Sequence, residues 1–228
     1  KKGYLKKEMN GFFSKRLINE ISSQLEKNKQ IILFQNKRGY SKVLICDSCG
    51  IAVSCKYCSV SLTYHKAFNH LKCHYCGYIE PLENDCKSCS SNSFTTKGFG
   101  TEHVVESLKE LFPDHKISRM DYDTTRRKNA YEEIILDFQQ LNIDILVGTQ
   151  MIAKGFDFDN VSLVGIIDAD SMLNYPDFRS HERAYQLLSQ VSGRAGRKDK
   201  QGKVILQTYN PDHEILDHVK KHSYDKYY

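Results

Sequence analysis

Eight cysteines stand in four Cys-x-x-Cys pairs within one stretch of the chain: Cys46/Cys49, Cys55/Cys58, Cys73/Cys76 and Cys86/Cys89. Two thiolates at this spacing grip one tetrahedral Zn²⁺ from a tight knuckle, and two knuckles complete a four-sulfur site with bonds of about 2.3 Å. Eight cysteines therefore imply two zinc ions, and of the three possible pairings the spacing favours one. Fourteen residues separate Cys58 from Cys73, near the usual ribbon separation of roughly 15–20, and Val60 to Tyr64 alternates as a strand does. Cys55, Cys58, Cys73 and Cys76 are assigned to one ion, and Cys46, Cys49, Cys86 and Cys89 to a second site closing over it. Pairing the first two knuckles would leave only five residues between Cys49 and Cys55. A site closed by four thiolates has no open position for water or substrate, so both ions are expected to be structural, holding a core-poor module together. A disulfide framework belongs to secreted chains, and Lys1-Lys2-Gly3-Tyr4 does not open as an export signal.

Other residues in this stretch bear on chemistry less directly. His65, His70 and His74 lie among the cysteines, but the sulfurs fill both sites, leaving the histidines as surface groups or nucleic-acid contacts. Tyr57, Tyr64, Phe68, Tyr75 and Tyr78 either stack bases or form the small core of the module. Further on, Gln190-Val191-Ser192-Gly193-Arg194-Ala195-Gly196-Arg197 places two arginines three apart at a helix end, with glycines clearing space around them. The arginine fork binds phosphate oxygens bidentately and stays charged at any working pH. The alternative is a basic helix terminus offsetting the helix dipole.

These groups need a frame, and hydropathy supplies one. Outside residues 46–89, strand and amphipathic-helix patterns alternate as in a parallel α/β sheet. Phe13, Leu17, Ile21 and Leu25 mark a helix face leading into the buried-strand run Ile31-Ile32-Leu33-Phe34. Later helix faces are Val104/Val105/Leu108/Leu111, Tyr131/Ile134/Ile135/Phe138 and Ala184/Leu187/Leu188/Val191. Expected strands are Ile117 to Met120, Ile145 to Val147, Val161 to Ile167 and Val204 to Leu206. The domain expectation is thus one α/β domain, residues 1–45 and 90–228, carrying a zinc module at residues 46–89. At 228 residues and 40% apolar composition the chain suits one large or two small globular domains. No apolar run approaches the roughly 18–20 residues of a membrane span. Charge is uneven: residues 1–42 hold 11 Lys/Arg against 3 Asp/Glu, and the rest is slightly acidic. A basic start suits a polyanion, though scattered surface lysines produce the same count.

In open α/β sheets ligands gather beyond the carboxyl ends of the strands. The segments there are Gln35-Asn36-Lys37-Arg38-Gly39-Tyr40, Asp121-Tyr122-Asp123-Thr124-Thr125, Gly148-Thr149-Gln150-Met151 and Asp168-Ala169-Asp170. The arginine string at residues 190–197 resembles motif VI of superfamily 2 helicases. Ile145 through Phe158 resembles motif V, and Ile32 through Tyr40 resembles motif IV of the primosomal replication-restart helicases. Gly98-Phe99-Gly100-Thr101-Glu102, Ser118 through Thr125 and the eight cysteines placed directly after motif IV are similar to that family as well.

The resemblance implies a RecA-like second helicase lobe with a two-zinc insertion. It makes Arg197 the arginine finger, with Arg194 and Gln190 supporting the phosphate network, and puts Gly155 and Asp157 beside the nucleotide. Thr149 and Gln150 would contact single-stranded DNA, and Lys37, Arg38 and Tyr40 would face DNA or the other lobe. Lys37 departs from the family's arginine, keeping charge but losing the bidentate fork. No Gly-x-x-x-x-Gly-Lys-Ser/Thr loop occurs in the sequence, so the phosphate loop and the Mg²⁺-binding acids would lie on a lobe before Lys1, with a further domain after Tyr228. Asp168 and Asp170 are then a cleft or surface feature of this lobe rather than a Mg²⁺ site.

The implied activity is ATP-dependent 3′→5′ helicase action at stalled forks, inactive in this lobe alone and using ATP with Mg²⁺ in the whole protein. Implied partners are forked and single-stranded DNA, single-strand-binding protein and other primosome proteins. The implied setting is a monomer in the bacterial cytoplasm, associated with the nucleoid and not with a membrane. The competing reading is a non-motor zinc-ribbon module that binds nucleic acid or protein.

Overall fold

The computed structural model describes residues 9–36, 43–58, 60–65, 68–73, 75–83, 85–96, 100–153, 158–175, 177–195 and 202–221. A two-stranded hairpin, β1 (Met9–Asn10) and β2 (Phe13–Ser14), leads into α1 (Lys15–Leu25), where the Ser14 hydroxyl accepts from the Leu17 N–H at 3.3 Å as an N-cap. Next comes β3 (Gln30–Phe34), buried along its whole length. The chain then enters a set of short antiparallel strands: β4 (Leu44–Cys46), β5 (Thr63–His65), β6 (His70–Lys72), β7 (Ile79–Pro81) and β8 (Phe94–Thr96). It returns through α2 (Thr101–Leu111), β9 (Ile117–Met120), α3 (Ala130–Gln139), β10 (Ile145–Gly148) and β11 (Val161–Ile166). The last elements are α4 (Asp170–Leu173), α5 (Ser180–Ser192), β12 (Lys203–Leu206) and α6 (Glu214–Lys221).

The main sheet has the order β12-β11-β3-β10-β9, and all four of its pairings are parallel. Side chains of β3 alternate between two cores, as the twofold period of a strand requires. Ile31 and Leu33 join Leu17, Ile21, Val104 and Leu108, so α1 and α2 cover one face. Ile32 and Phe34 join Phe138, Ala184, Leu188 and Ile215, so α3, α5 and α6 cover the other. This is the doubly wound frame expected from the alternating patterns.

The insertion has sheets of its own. β4 pairs with β8 as an antiparallel ladder, and β5, β6 and β7 form a three-stranded sheet. The alternating run from Val60 is not a continuous strand: Ser61 makes an isolated bridge to Ser54, and regular pairing begins only at Thr63. The short helices α4 and α6, which periodicity did not mark, both pack against α5. Ile215, Leu216 and Val219 of α6 are buried in the second core.

Candidate metal centres and motor site

The structure brings the knuckles together in two groups. The sulfurs of Cys46, Cys49, Cys86 and Cys89 lie within 4.8 Å of one another, as do those of Cys55, Cys58, Cys73 and Cys76. Separations are 3.5 Å for Cys46–Cys89, 3.7 Å for Cys49–Cys86 and 3.6 Å for Cys55–Cys76. A tetrahedral ion with bonds of about 2.3 Å sets its sulfurs about 3.8 Å apart, so the donors already stand near ligand spacing and fit Zn²⁺. Backbone turns hold them there. Gly50 and Gly77 follow the second cysteine of their knuckles at φ +75° and +77°, a left-handed conformation that glycine adopts without strain. Their N–H groups reach back to the Cys46 and Cys73 carbonyls at 2.8 and 3.0 Å.

The thiols of each group also shift one another's ionisation. Burial pushes the Cys49 thiol up to about 12, with its sulfur neighbours adding to the rise. Burial also opposes ionisation of Cys46, but the N–H groups of Cys49 and Ser48 bring it down to about 7. In the second group the Tyr78 N–H lowers Cys76 to about 7, and the Cys76 thiol raises Cys58 to about 12. Neighbouring thiolates repel, and a divalent ion among them removes the repulsion. Of the histidines, His65 and His70 stand ring to ring at 5.3 Å and join neither sulfur group. His74 lies outside the described residues.

At the carboxyl edge of the main sheet, the turn after β10 is held from several sides. The Thr149 N–H donates to the Met120 carbonyl at 3.3 Å, and the Thr149 side chain is buried. Arg194, just past α5, donates from Nη2 to the Ala153 carbonyl at 2.6 Å. From α3, the Tyr131 hydroxyl donates to the Met151 carbonyl at 3.4 Å. Thus Thr149, Gln150 and Arg194 converge on one turn, whereas Gln190, in the last turn of α5, is exposed. Lys37, Arg38, Tyr40, Gly155, Asp157 and Arg197 lie outside the described residues.

Tyr131 was legible only as part of a helix face; a hydroxyl-bearing residue heading an otherwise wholly apolar stripe was the available signal. Asp168 and Asp170 are buried rather than on the surface. Asp168 accepts from the Ser171 N–H at 3.2 Å, and Asp170 from the Thr208 hydroxyl at 2.9 Å and the Tyr209 N–H at 2.8 Å. Both carboxylates therefore fix loops around α4.

Two family models match the chain: the PriA DNA helicase Cys-rich region (CRR) domain over residues 55–81 and the helicase conserved C-terminal domain over residues 90–199. The replication restart protein PriA of Bacillus subtilis (strain 168) is 48% identical over 216 residues, 95% of this chain and 27% of that protein. The chain carries the cysteine-rich region and the helicase C-terminal domain of PriA. The PriA proteins of Haemophilus influenzae and Synechocystis sp. are each 45% identical, across 94% and 96% of this chain and 29% and 27% of their own lengths. The chain thus spans less than a third of each of these three curated PriA relatives. In PriA terms, the parallel sheet is the RecA-like helicase lobe, and the inner knuckles Cys55/Cys58 and Cys73/Cys76 fall within the match to the cysteine-rich region. Among the described residues no helix is long and apolar enough to cross a membrane.

Proposed function

We propose that this chain forms the second motor lobe of an ATP-dependent 3′→5′ DNA helicase that restarts stalled or collapsed replication forks. The hydrogen bond from Arg194 to the Ala153 carbonyl carries the reading. It joins the arginine-bearing end of α5 to the turn after β10, at the sheet edge where such folds handle nucleotides. Arg197, three residues beyond Arg194, then reaches across the cleft to stabilise charge developing on the transferring phosphoryl group. Arg194 holds Ala153, directly ahead of Gly155 and Asp157 beside the nucleotide, and the exposed Gln190 is available to the facing lobe. Thr149 and Gln150 touch the single-strand backbone; Lys37, Arg38 and Tyr40 face DNA or the other lobe. ATP with Mg²⁺, held chiefly by the phosphate-loop lobe of the whole protein, supplies the free energy.

Each cysteine group holds one structural Zn²⁺, which ties two knuckles into a single rigid unit. Forked and single-stranded DNA, single-strand-binding protein and other primosome proteins are the proposed partners of a monomeric, nucleoid-associated helicase. The PriA relatives and the helicase C-terminal match support this reading over a non-motor zinc-ribbon module.

The test is Arg197→Ala in the intact parent protein. DNA-stimulated ATP hydrolysis should fall by about 10³-fold or more while DNA binding persists. Retained hydrolysis removes the finger assignment, and a parent without DNA-stimulated ATPase removes the motor reading in favour of a binding module.

A further inference from the structure

The inner pair of knuckles differs from the outer pair in what its tips present. Cys55-Lys56-Tyr57-Cys58 and Cys73-His74-Tyr75-Cys76 each place a tyrosine just before the second cysteine, whereas the outer knuckles carry Asp47-Ser48 and Lys87-Ser88. The outer tips are tied up in other contacts: the first is bonded to the segment after Cys89, Ser48 to Ser91 at 2.8 Å and Ser93 to Asp47 at 2.7 Å, and in the second Lys87 pairs with Glu80 and Glu83 at 3.3 and 3.2 Å. Tyr64 and Tyr78 pack against the small core of the module. Tyr57 and Tyr75 do not: they are 69% and 57% exposed.

These exposed rings are braced rather than loose. The 3.6 Å approach of the Cys55 and Cys76 sulfurs holds the two tips at one cluster. Tyr57 meets Tyr78 edge to face with centroids 5.2 Å apart, and the Lys56 ammonium lies 5.0 and 4.8 Å from those two centroids. Tyr75 meets Phe178 at 5.7 Å. Phe178 is itself 69% exposed and leads into α5, the helix whose far end carries Arg194. Exposed aromatic surface therefore runs from the insertion onto the motor lobe. Lys56 lies over one face of the Tyr57 ring; edge-to-face packing fixes a ring without covering both its faces, and exposed rings with a lysine against them are the chemistry that stacks unpaired bases and neutralises their phosphates.

We infer that Tyr57, Tyr75 and Phe178, with Lys56, form a stacking platform for the bases of single-stranded DNA. The inference rests on the helicase reading and deepens it, placing a strand contact on the inner knuckles and none on the outer ones. Lys56 meets the phosphates, and the rings take bases without regard to sequence.

The experiment uses the intact zinc-loaded parent with oligo-dT containing 5-iodouracil, photocrosslinked and mapped by peptide, alongside binding measured by anisotropy. Crosslinks should fall on Tyr57, Tyr75 or Phe178. Tyr57→Ala and Tyr75→Ala should each weaken binding by about five-fold or more, while Tyr57→Phe and Tyr75→Phe, which keep the rings, bind like the parent. Lys56→Gln should lower the slope of log affinity against log salt by about 0.7. Zinc content checks the fold of each variant; should the alanine variants lose zinc, the crosslink map and the phenylalanine pair decide. Crosslinks confined to the sheet edge around Thr149, with alanine variants binding normally, overturn the platform but leave the motor intact. The same holds if those variants lose only a protein partner. A parent whose ATPase DNA does not stimulate overturns the motor reading itself.

Discussion

Asp121 shows how a single buried carboxylate organises one corner of this lobe. It stands just past β9, where the Thr101 hydroxyl donates to it and the N–H groups of Asp123 and Thr124 reach Oδ1 at 3.0 and 3.2 Å. The Arg119 Nε lies 3.4 Å from Oδ2. Burial opposes the charge, but these hydrogen bonds and the guanidinium outweigh it and hold the carboxyl below its ordinary range. A folded value below the unfolded one means that the stabilisation is complete above about pH 4 and is lost as pH falls through the folded value. Asp121→Asn should therefore cost about 1–3 kcal/mol at pH 7, and the gap between variant and parent should shrink as pH drops below about 4. Denaturant unfolding of both proteins at pH 7 and pH 3 measures this; a gap that ignores pH would mean the charge plays no part. Little of this was legible in the sequence, where Asp121 is one polar residue in the segment 121–125. Gln30 is a similar case. Its amide donates to the Phe138 and Ile143 carbonyls at 2.6 and 2.7 Å, partners more than a hundred positions away. The cysteines were far more readable, because the spacing of ligands along the chain limits which of them can meet.

Among the elements, the knuckle turns share a backbone shape but not a residue. Ser90 follows Cys89 at φ +56° and donates its N–H to the Cys86 carbonyl at 2.8 Å, the place that glycine fills in the turns at Gly50 and Gly77. A serine there carries a left-handed penalty of about 1 kcal/mol. Ser90→Gly should recover about that amount, read as a higher unfolding midpoint for the insertion with zinc content unchanged; a lower midpoint would show that the Ser90 side chain matters more than its backbone. The long amphipathic helices α1, α2, α3 and α5 were legible because each buries a stripe that repeats over several turns. The eight-residue α6 offers too few turns to declare a period, and four-residue α4 is defined by the loops that Asp168 and Asp170 hold. The β1–β2 hairpin depends on Gln207, whose side chain accepts from Ser14 N–H at 2.7 Å and donates to the Phe12 carbonyl at 2.8 Å. Strands of the insertion escape the alternation rule for another reason: ligand geometry, more than a buried face, sets where they pair.

For the molecule as a whole, two kinds of core coexist. The parallel sheet lies between two large apolar cores, while the insertion has two small clusters of buried side chains, and four of its buried residues are cysteines. Chelation of zinc should therefore unfold the insertion and spare the sheet, because the free energy of metal binding is folding free energy only where the apolar core is small. Hydrogen exchange before and after chelation should lose protection at Leu44–Cys46, Thr63–His65 and His70–Lys72 and keep it at Ile31–Phe34 and Ile145–Gly148. Simultaneous collapse of both would show one cooperative unit. Among the described residues, contacts with the lobe include Tyr75 against Phe178 and Gly50 against Tyr209, where a Cβ on the glycine would run into the Tyr209 side chain. The ladder of β4 with β8 pairs Cys46 with Phe94, so the cysteine-rich segment leaves and rejoins its stalk across a single strand spacing of about 5 Å. An insertion with its ends so close is topologically silent: lineages could gain, lose or remodel everything between those two residues while the parent sheet kept its strand order.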